Sequence, residues 1–234
     1  MNQTSRKPLL SVIVPALNES SYIDRVLTDV AGGDALEVIV VDGGSVDTTV
    51  AKAKARGALV GRAPTGRARQ MNKGAAMARG SIYLFVHADS RLPAGYDRLI
   101  RCALEDEGVA AGAFSLGIDA DSSKFRFIET WANRRSIGLG MPYGDQGLFL
   151  RAERFRACGG FPDLPIMEDF VMIRRLRKTG RIVTVTERIY TSPRRWVRLG
   201  VLRTTIINQV IVLGFLLGVP VERLYRLYRS ARDN

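Results

Sequence analysis

His87 and Asp89 stand two residues apart, where the apolar run Ile82-Tyr83-Leu84-Phe85-Val86 gives way to polar residues. His87 is the only histidine in a chain of 234 residues. In an extended segment, residues i and i+2 point to the same side, so an imidazole and a carboxylate would converge at the end of a strand. That pair suits a divalent cation or a phosphate. Mg2+ commonly takes one protein carboxylate and completes its shell with diphosphate oxygens, which makes Asp89 the stronger ligand. His87 as a further ligand would favour Mn2+. A cation so held would stabilise a departing diphosphate.

Other segments offer complementary chemistry. Pro15-Ala16-Leu17-Asn18-Glu19 follows a first apolar run, and Asp42-Gly43-Gly44-Ser45 follows a second. An acid past each of two adjacent strands can bond ribose hydroxyls or the N–H edge of a base. Taken singly, Asp42 also fits a turn and Glu19 the first turn of a helix. Gly66-Arg67-Ala68-Arg69-Gln70-Met71-Asn72-Lys73-Gly74 is dense in donors and opens a helix. Arg67 and Arg69, with the helix N-terminus, suit phosphates. The Gly-Lys-Ser/Thr ending of a Walker loop is absent, which argues against ATP hydrolysis. Glu168-Asp169 opens a later helix after Gly159-Gly160-Phe161-Pro162 and offers a general base. Asp145, within Gly144-Asp145-Gln146, is the rival base. Arg194-Arg195-Trp196 joins a phosphate-binding fork to a ring able to stack on a sugar.

The elements that position these residues alternate. Apolar runs at 9–16, 37–42, 58–61 and 81–86 read as buried strands. Between them, helical patterns cover 20–31, 45–56 with Ser45 as N-cap, and 67–79. Such βαβ alternation predicts a parallel sheet with its ligands outside the carboxyl ends of the strands. Further on, 109–118 reads as a strand, 122–137 as a helix, and 181–190 as an edge strand. The fold class expected is α/β: a mixed, mainly parallel sheet flanked by helices.

Composition sets the outer bounds. The 46% hydrophobic content supports a full core. Cys102 and Cys158 have no metal spacing and are expected as buried, reduced thiols. Residues 1–7 lack an apolar signal core, predicting a cytoplasmic protein. Net charge is +12, and residues 181–234 hold 10 arginines against Glu187, Glu222 and Asp233. That excess favours anionic lipid or a phosphorylated substrate. Nucleic acid is disfavoured, because no recognition-helix or aromatic-plus-basic strand pattern is present. Thr204 to Val221 gives 18 consecutive uncharged residues, diluted by Asn208, Gln209, two glycines and Pro220. A buried or interfacial helix fits that segment better than a membrane crossing.

Taken in order, Val14-Pro15-Ala16-Leu17-Asn18-Glu19, Asp42-Gly43-Gly44-Ser45-Val46-Asp47, His87-Ala88-Asp89, Gly159-Gly160-Phe161 and Glu168-Asp169 resemble family 2 glycosyltransferases of the GT-A fold. The variants around Arg67 and Pro142-Tyr143-Gly144-Asp145-Gln146 are similar to a compact bacterial subgroup. The resemblance implies a GT-A domain over 8–196 and a basic, apolar helical appendage over 197–234. It implies an inverting transfer of sugar from a nucleoside-diphosphate sugar, UDP-sugar favoured, to an acceptor hydroxyl. Pro15, Ala16, Asn18, Glu19, Asp42, Gly44, Arg67, Asn72, His87 and Asp89 would bind the donor. Asp89, with His87, would hold Mg2+ or Mn2+. Asp169 would be the general base and Glu168 would orient the acceptor. Gly144, Asp145, Gln146, Arg195 and Trp196 would meet the acceptor or the diphosphate. His87 stands where the motif usually has its first acid, which weakens the hold on a hard cation. The acceptor is expected to be lipid-linked, at the inner face of a membrane, with peripheral contact and self-association both open. A sugar nucleotidyltransferase is the rival enzyme class, although an N-terminal Gly-rich phosphate loop is missing. A catalytically inactive nucleotide-binding scaffold at a membrane surface is the non-enzymatic rival.

Overall fold

A computed structural model of the chain describes residues 9–34 and 36–233. The reading of residues 1–7 as lacking a signal core falls outside them, as does the side chain of Arg195. β1 (Leu10–Ala16) is buried at every position, as an apolar run without alternation requires of a strand covered on both faces. α1 (Ile23–Ala31) follows, burying Ile23, Val26, Leu27 and Val30 on one side. β2 (Leu36–Asp42), α2 (Thr49–Ala55), β3 (Leu59–Arg62), α3 (Arg67–Met77) and β4 (Ile82–Phe85) complete the first half. β1 pairs in parallel with both β2 and β4, and β2 with β3. Ala16 lies opposite Asp42, so β1 and β2 finish level, whereas β4 stops three residues earlier, with Phe85 opposite Ile13.

α4 (Tyr96–Ala103), β5 (Val109–Ile118), α5 (Ser123–Leu139), β6 (Leu148–Arg151), α6 (Ala152–Ala157), α7 (Glu168–Leu176) and β7 (Arg181–Thr191) form the second half. The strand order is β3-β2-β1-β4-β6-β5-β7. β6 runs antiparallel to β4 and β5, while β7 lies parallel to β5 at the edge. The reversal at β6 brings the chain just before it, residues 142–147, to the carboxyl end of β4. One apolar cluster on the sheet gathers Phe85, Phe155, Phe161 and Phe170, and another gathers Val12, Val40, Ile100 and Phe114. Gly112 and Gly74 permit the closest approaches. A side-chain carbon at Gly112 would lie 2.2 Å from the Phe149 ring, and one at Gly74 would lie 2.4 Å from Ile13.

The chain ends in α8 (Arg194–Leu199), α9 (Val201–Leu216) and α10 (Val221–Asp233). Ile211, Val221 and Leu224 from these helices join the cluster that holds Phe85 and Phe170. The 18-residue uncharged stretch therefore falls on α9 from Thr204 onward and on the turn after it, in which Gly218 adopts φ +81°. Among the described residues, no helix is long and apolar enough to cross a membrane.

Two local expectations change. α2 starts three residues later than predicted, with Thr48 as N-cap, because the Ser45 hydroxyl accepts the Asn18 N–H at 2.9 Å instead. Cys102 is exposed and Cys158 half-buried, so neither is a core thiol. Tyr96 and Ile100 take the inward face of α4, leaving Cys102 toward solvent.

Candidate active site

The first two strand ends are bound to each other. Asn18, at φ +54°, accepts the Val46 N–H on Oδ1 at 2.9 Å. Asp42 is fully buried and accepts the N–H groups of Gly44 at 3.1 Å and Ser45 at 3.0 Å. Gln70, inside α3, donates from Nε2 to the carbonyls of Ala16 at 2.8 Å and Val41 at 2.9 Å. Asn18, Asp42 and Gln70 thus shape the rim of the crevice. Gly44 holds φ +100° with open space where a side chain would stand, so backbone is presented there. Pro15 and Ala16 close β1, and Ala16 is buried beneath the Gln70 bond.

The third strand end departs from the expected geometry. β4 stops at Phe85, and the Ser90 N–H bonds the His87 carbonyl at 3.1 Å, so residues 87–90 form a turn. Strand alternation no longer governs His87 and Asp89. His87 lines a cavity with Gly144, Glu168 and Asp169, whereas Asp89 lines a crevice of 330 Å³ with Tyr22, Ser192 and Arg194. Among the described residues, no three His, Cys, Asp or Glu side chains gather as a metal site. Asp89 as sole protein carboxylate suits a hard cation only if a bound diphosphate supplies further oxygens.

Around His87 the chemistry concentrates. The Gly144 N–H donates to Asp169 Oδ2 at 2.7 Å. A side-chain carbon at Gly144 would lie 3.0 Å from that oxygen and 3.6 Å from His87 Nε2, so both side chains flank the glycine. α7 places Asp169 in its first turn, and the residue before the helix, Met167, is held at φ +68°. A buried non-glycine residue in that conformation is strained, a feature that clusters at functional sites. Glu168 is 1% exposed and meets Arg67 Nε at 2.8 Å through one oxygen. Its other oxygen, Oε2, is buried with no hydrogen-bond partner among the described residues, as is Asp145 Oδ1. Burial pushes the carboxyls of Glu168 and Asp145 above the usual range, against the pull of Arg67 and Arg135 respectively. Desolvation, reinforced by Arg67, lowers the pKa of His87 against the pull of Asp89, Asp145 and Asp169. Glu168 in turn holds the Arg67 guanidinium charged.

A residue that the sequence reading named only as part of the Arg-Arg-Trp motif closes the other side. Arg194, at the start of α8, grips both oxygens of Glu19 at 2.8 and 2.6 Å and reaches Asp89 Oδ2 at 3.1 Å. Its guanidinium also lies 4.7 Å from the centre of the Tyr22 ring. The Arg-Arg-Trp motif was the available signal, and its first arginine reaches the acids. Trp196 is 9% exposed and packs on Ile118 and Phe125, its ring 6.4 Å from that of Phe125, so it is a core residue rather than an acceptor platform. Gln146 is buried and satisfied by the Phe114 carbonyl and the Tyr143 N–H. Asn72 bonds both the N–H and the carbonyl of Phe161. Gln146 and Asn72 therefore hold the loops that frame the site, and their amides are spent on backbone rather than on a ligand. A groove of 520 Å³ between α5 and β7 is larger than either site cavity, but its Glu129 is tied to Arg126 and Arg188.

A seven-stranded, mostly parallel sheet with one reversed strand, and acids gathered past its carboxyl ends, defines a nucleotide-diphospho-sugar transferase fold of the GT-A type. The sequence matches glycosyl transferase family 2 over residues 11–157, and the chain belongs to that family. A mannosyltransferase from Pyrobaculum calidifontis, solved with GDP-Man and Mn2+, superposes with a TM-score of 0.66 at 21% identity, covering 97% of this chain and 70% of that one. Glucosyl-3-phosphoglycerate synthase from Mycobacterium tuberculosis, solved with Mn2+, UDP and glucosyl-3-phosphoglycerate, gives 0.61 at 22% identity, covering 87% and 79%. An uncharacterized protein of M. tuberculosis, MT1568, is 32% identical over 127 residues. That stretch is 51% of this chain and 40% of MT1568, so the chain spans well under half of that relative.

Proposed function

We propose that the protein is an inverting glycosyltransferase that moves a sugar from a nucleoside-diphosphate sugar, UDP-sugar favoured, to an acceptor hydroxyl. The observation that carries this reading is the convergence of Asp169, His87 and Gly144, drawn from α7, the end of β4 and the turn before β6. The donor would lie across the carboxyl ends of β1, β2 and β4, with its nucleoside at the rim built by Asn18, Asp42 and Gly44. Asp169 takes the proton of the acceptor hydroxyl as that oxygen attacks the anomeric carbon. The bond from that carbon to the diphosphate oxygen breaks in the same displacement, which inverts the centre, and the electron pair leaves with the diphosphate. The Glu168 oxygen without a partner is placed to accept a hydrogen bond from the acceptor, and Arg67 steadies Glu168. Arg194 is placed to turn from Glu19 and Asp89 toward the diphosphate as its charge develops.

Mg2+ or Mn2+ held by Asp89 together with the diphosphate would add Lewis-acid stabilisation of the leaving group. The donor and Mn2+ in the structural neighbours support this reading, as does family membership. An Arg-flanked apolar helix beside the crevice favours an acceptor carried at a membrane surface. The test is release of nucleoside diphosphate from a panel of UDP-, GDP- and dTDP-sugars, with and without Mn2+. Asp169→Asn should lower turnover at least ~10³-fold while donor affinity stays within about twofold. A fully active variant would remove Asp169 as the base. Pyrophosphate release from a nucleoside triphosphate and a sugar phosphate would instead favour the nucleotidyltransferase reading.

A further inference from the structure

α9 presents an apolar face that none of the described residues covers. Leu202 is 74% exposed, Ile206 52%, Val210 45%, Leu213 58% and Leu217 75%. Steps of four, four, three and four residues put these five side chains on one stripe along the helix. The opposite side is anchored, with Thr204 and Ile211 buried and Phe215 in ring contact with Phe170 at 5.8 Å. The stripe is therefore held out by a fixed helix. Its charge surroundings are mainly basic, with Glu222 at the start of α10 as an exposed acid. Between Glu187 and Glu222 the sequence has five arginines and no acid. Arg203 is exposed next to the stripe, and the packed neighbour α10 exposes Arg223, Arg226 and Arg229.

We infer that this face docks on an anionic lipid bilayer, with α9 lying in the plane of the interface. An apolar stripe flanked by arginines matches both parts of such a surface, acyl chains below and anionic headgroups beside. A second copy of the chain matches only the apolar part. A self-complementary contact through α9 would set two mainly basic surfaces against each other. Docking also orients the site. α8 begins at Arg194, which touches Glu19 and Asp89, and runs through the 71% exposed Val197 into α9. The bilayer would thus lie beside the crevice, and an acceptor hydroxyl on a lipid headgroup or lipid carrier could enter from it. That last step rests on the glycosyl-transfer reading, whereas docking itself does not.

Flotation of the full chain with vesicles of phosphatidylcholine alone, and of phosphatidylcholine with phosphatidylglycerol, tests the inference without turnover. The protein should float with the anionic vesicles and scarcely with the neutral ones. Leu213→Asp and Arg203→Glu, both at exposed positions, should each weaken vesicle binding roughly tenfold at unchanged melting temperature. Donor hydrolysis in solution should be unaltered in both variants. Absence of flotation with either vesicle type would overturn docking, as would a dimer in light scattering that Leu213→Asp dissociates. Flotation without any sugar transfer would leave docking standing and remove the proposed activity.

Discussion

Asp169 accepts from the Gly144 amide, and Gly144 is the residue that lets His87 and Asp169 approach each other. Adding a single carbon there, as in Gly144→Ala, puts it 3.0 Å from Asp169 Oδ2 and displaces the carboxylate. The carboxylate must give by a few tenths of an ångström, less than the misplacement of about 1 Å that costs on the order of 10²-fold. We therefore expect Gly144→Ala to lower kcat by roughly 3- to 10-fold and to leave the donor Kd nearly unchanged, as stopped-flow and calorimetry would show. Arg194 is the second residue-scale lever. It pairs with both Glu19 and Asp89, and under the proposed function a diphosphate would compete for it. A hydrogen bond between charged groups contributes about 1.5–3 kcal/mol, so Arg194→Ala should weaken nucleoside-diphosphate affinity by roughly 10- to 100-fold. An unchanged Kd would confine Arg194 to holding α8 on the acids.

At the scale of elements, the site depends on loops tied by amides rather than on the strands alone. Asn72 binds both backbone groups of Phe161 from α3, fixing the turn at Gly159-Gly160 that leads to α7. Asn72→Ala removes both bonds and leaves partly buried backbone groups to find new partners. That change should cost about 1–3 kcal/mol, read as a fall in denaturation midpoint, with donor affinity affected little. β6 meets β5 where the Phe149 ring covers Gly112. Gly112→Ala forces a carbon to 2.2 Å from that ring, and overpacking of this kind costs typically about 1–3 kcal/mol. The resulting shift of β6 would carry residues 142–147 with it, so activity should fall alongside stability in thermal melts.

For the whole molecule, the +12 charge and the exposed stripe of α9 act over different ranges. Coulombic attraction to an anionic surface is screened within about 8 Å at physiological ionic strength, whereas apolar burial is not. Vesicle binding should therefore weaken steeply from low to moderate salt and then level off. Complete loss at moderate salt would assign all the affinity to the arginines and none to the stripe. α9 and α10 share the core cluster of the domain through Ile211, Val221 and Leu224, so the docking face is held in one body with that core.

The alternation of elements was legible because buried parallel strands must be apolar on both faces, and β1 and β2 read that way from their residues. Asp169, Glu168, Gly144 and Asp145 were legible as acids and glycine near element starts; the structure brings the first three to one cavity with His87 and sets Asp145 within electrostatic reach of it. The sequence by itself determined the fold class, the family and the pool of reactive groups, since hydrophobic period and residue type are local properties. Only the tertiary structure decided which members of that pool face each other. A turn after Phe85 parts His87 from Asp89, the reversed β6 delivers Gly144 to Asp169, and Arg194 closes on an acid 175 positions away in the chain. The same holds for what was lost from the pool. Trp196, Gln146 and Asn72 look like ligand contacts by type, yet packing and backbone hydrogen bonds claim them first. Burial and long-range pairing depend on the whole packed chain, and no local pattern encodes them.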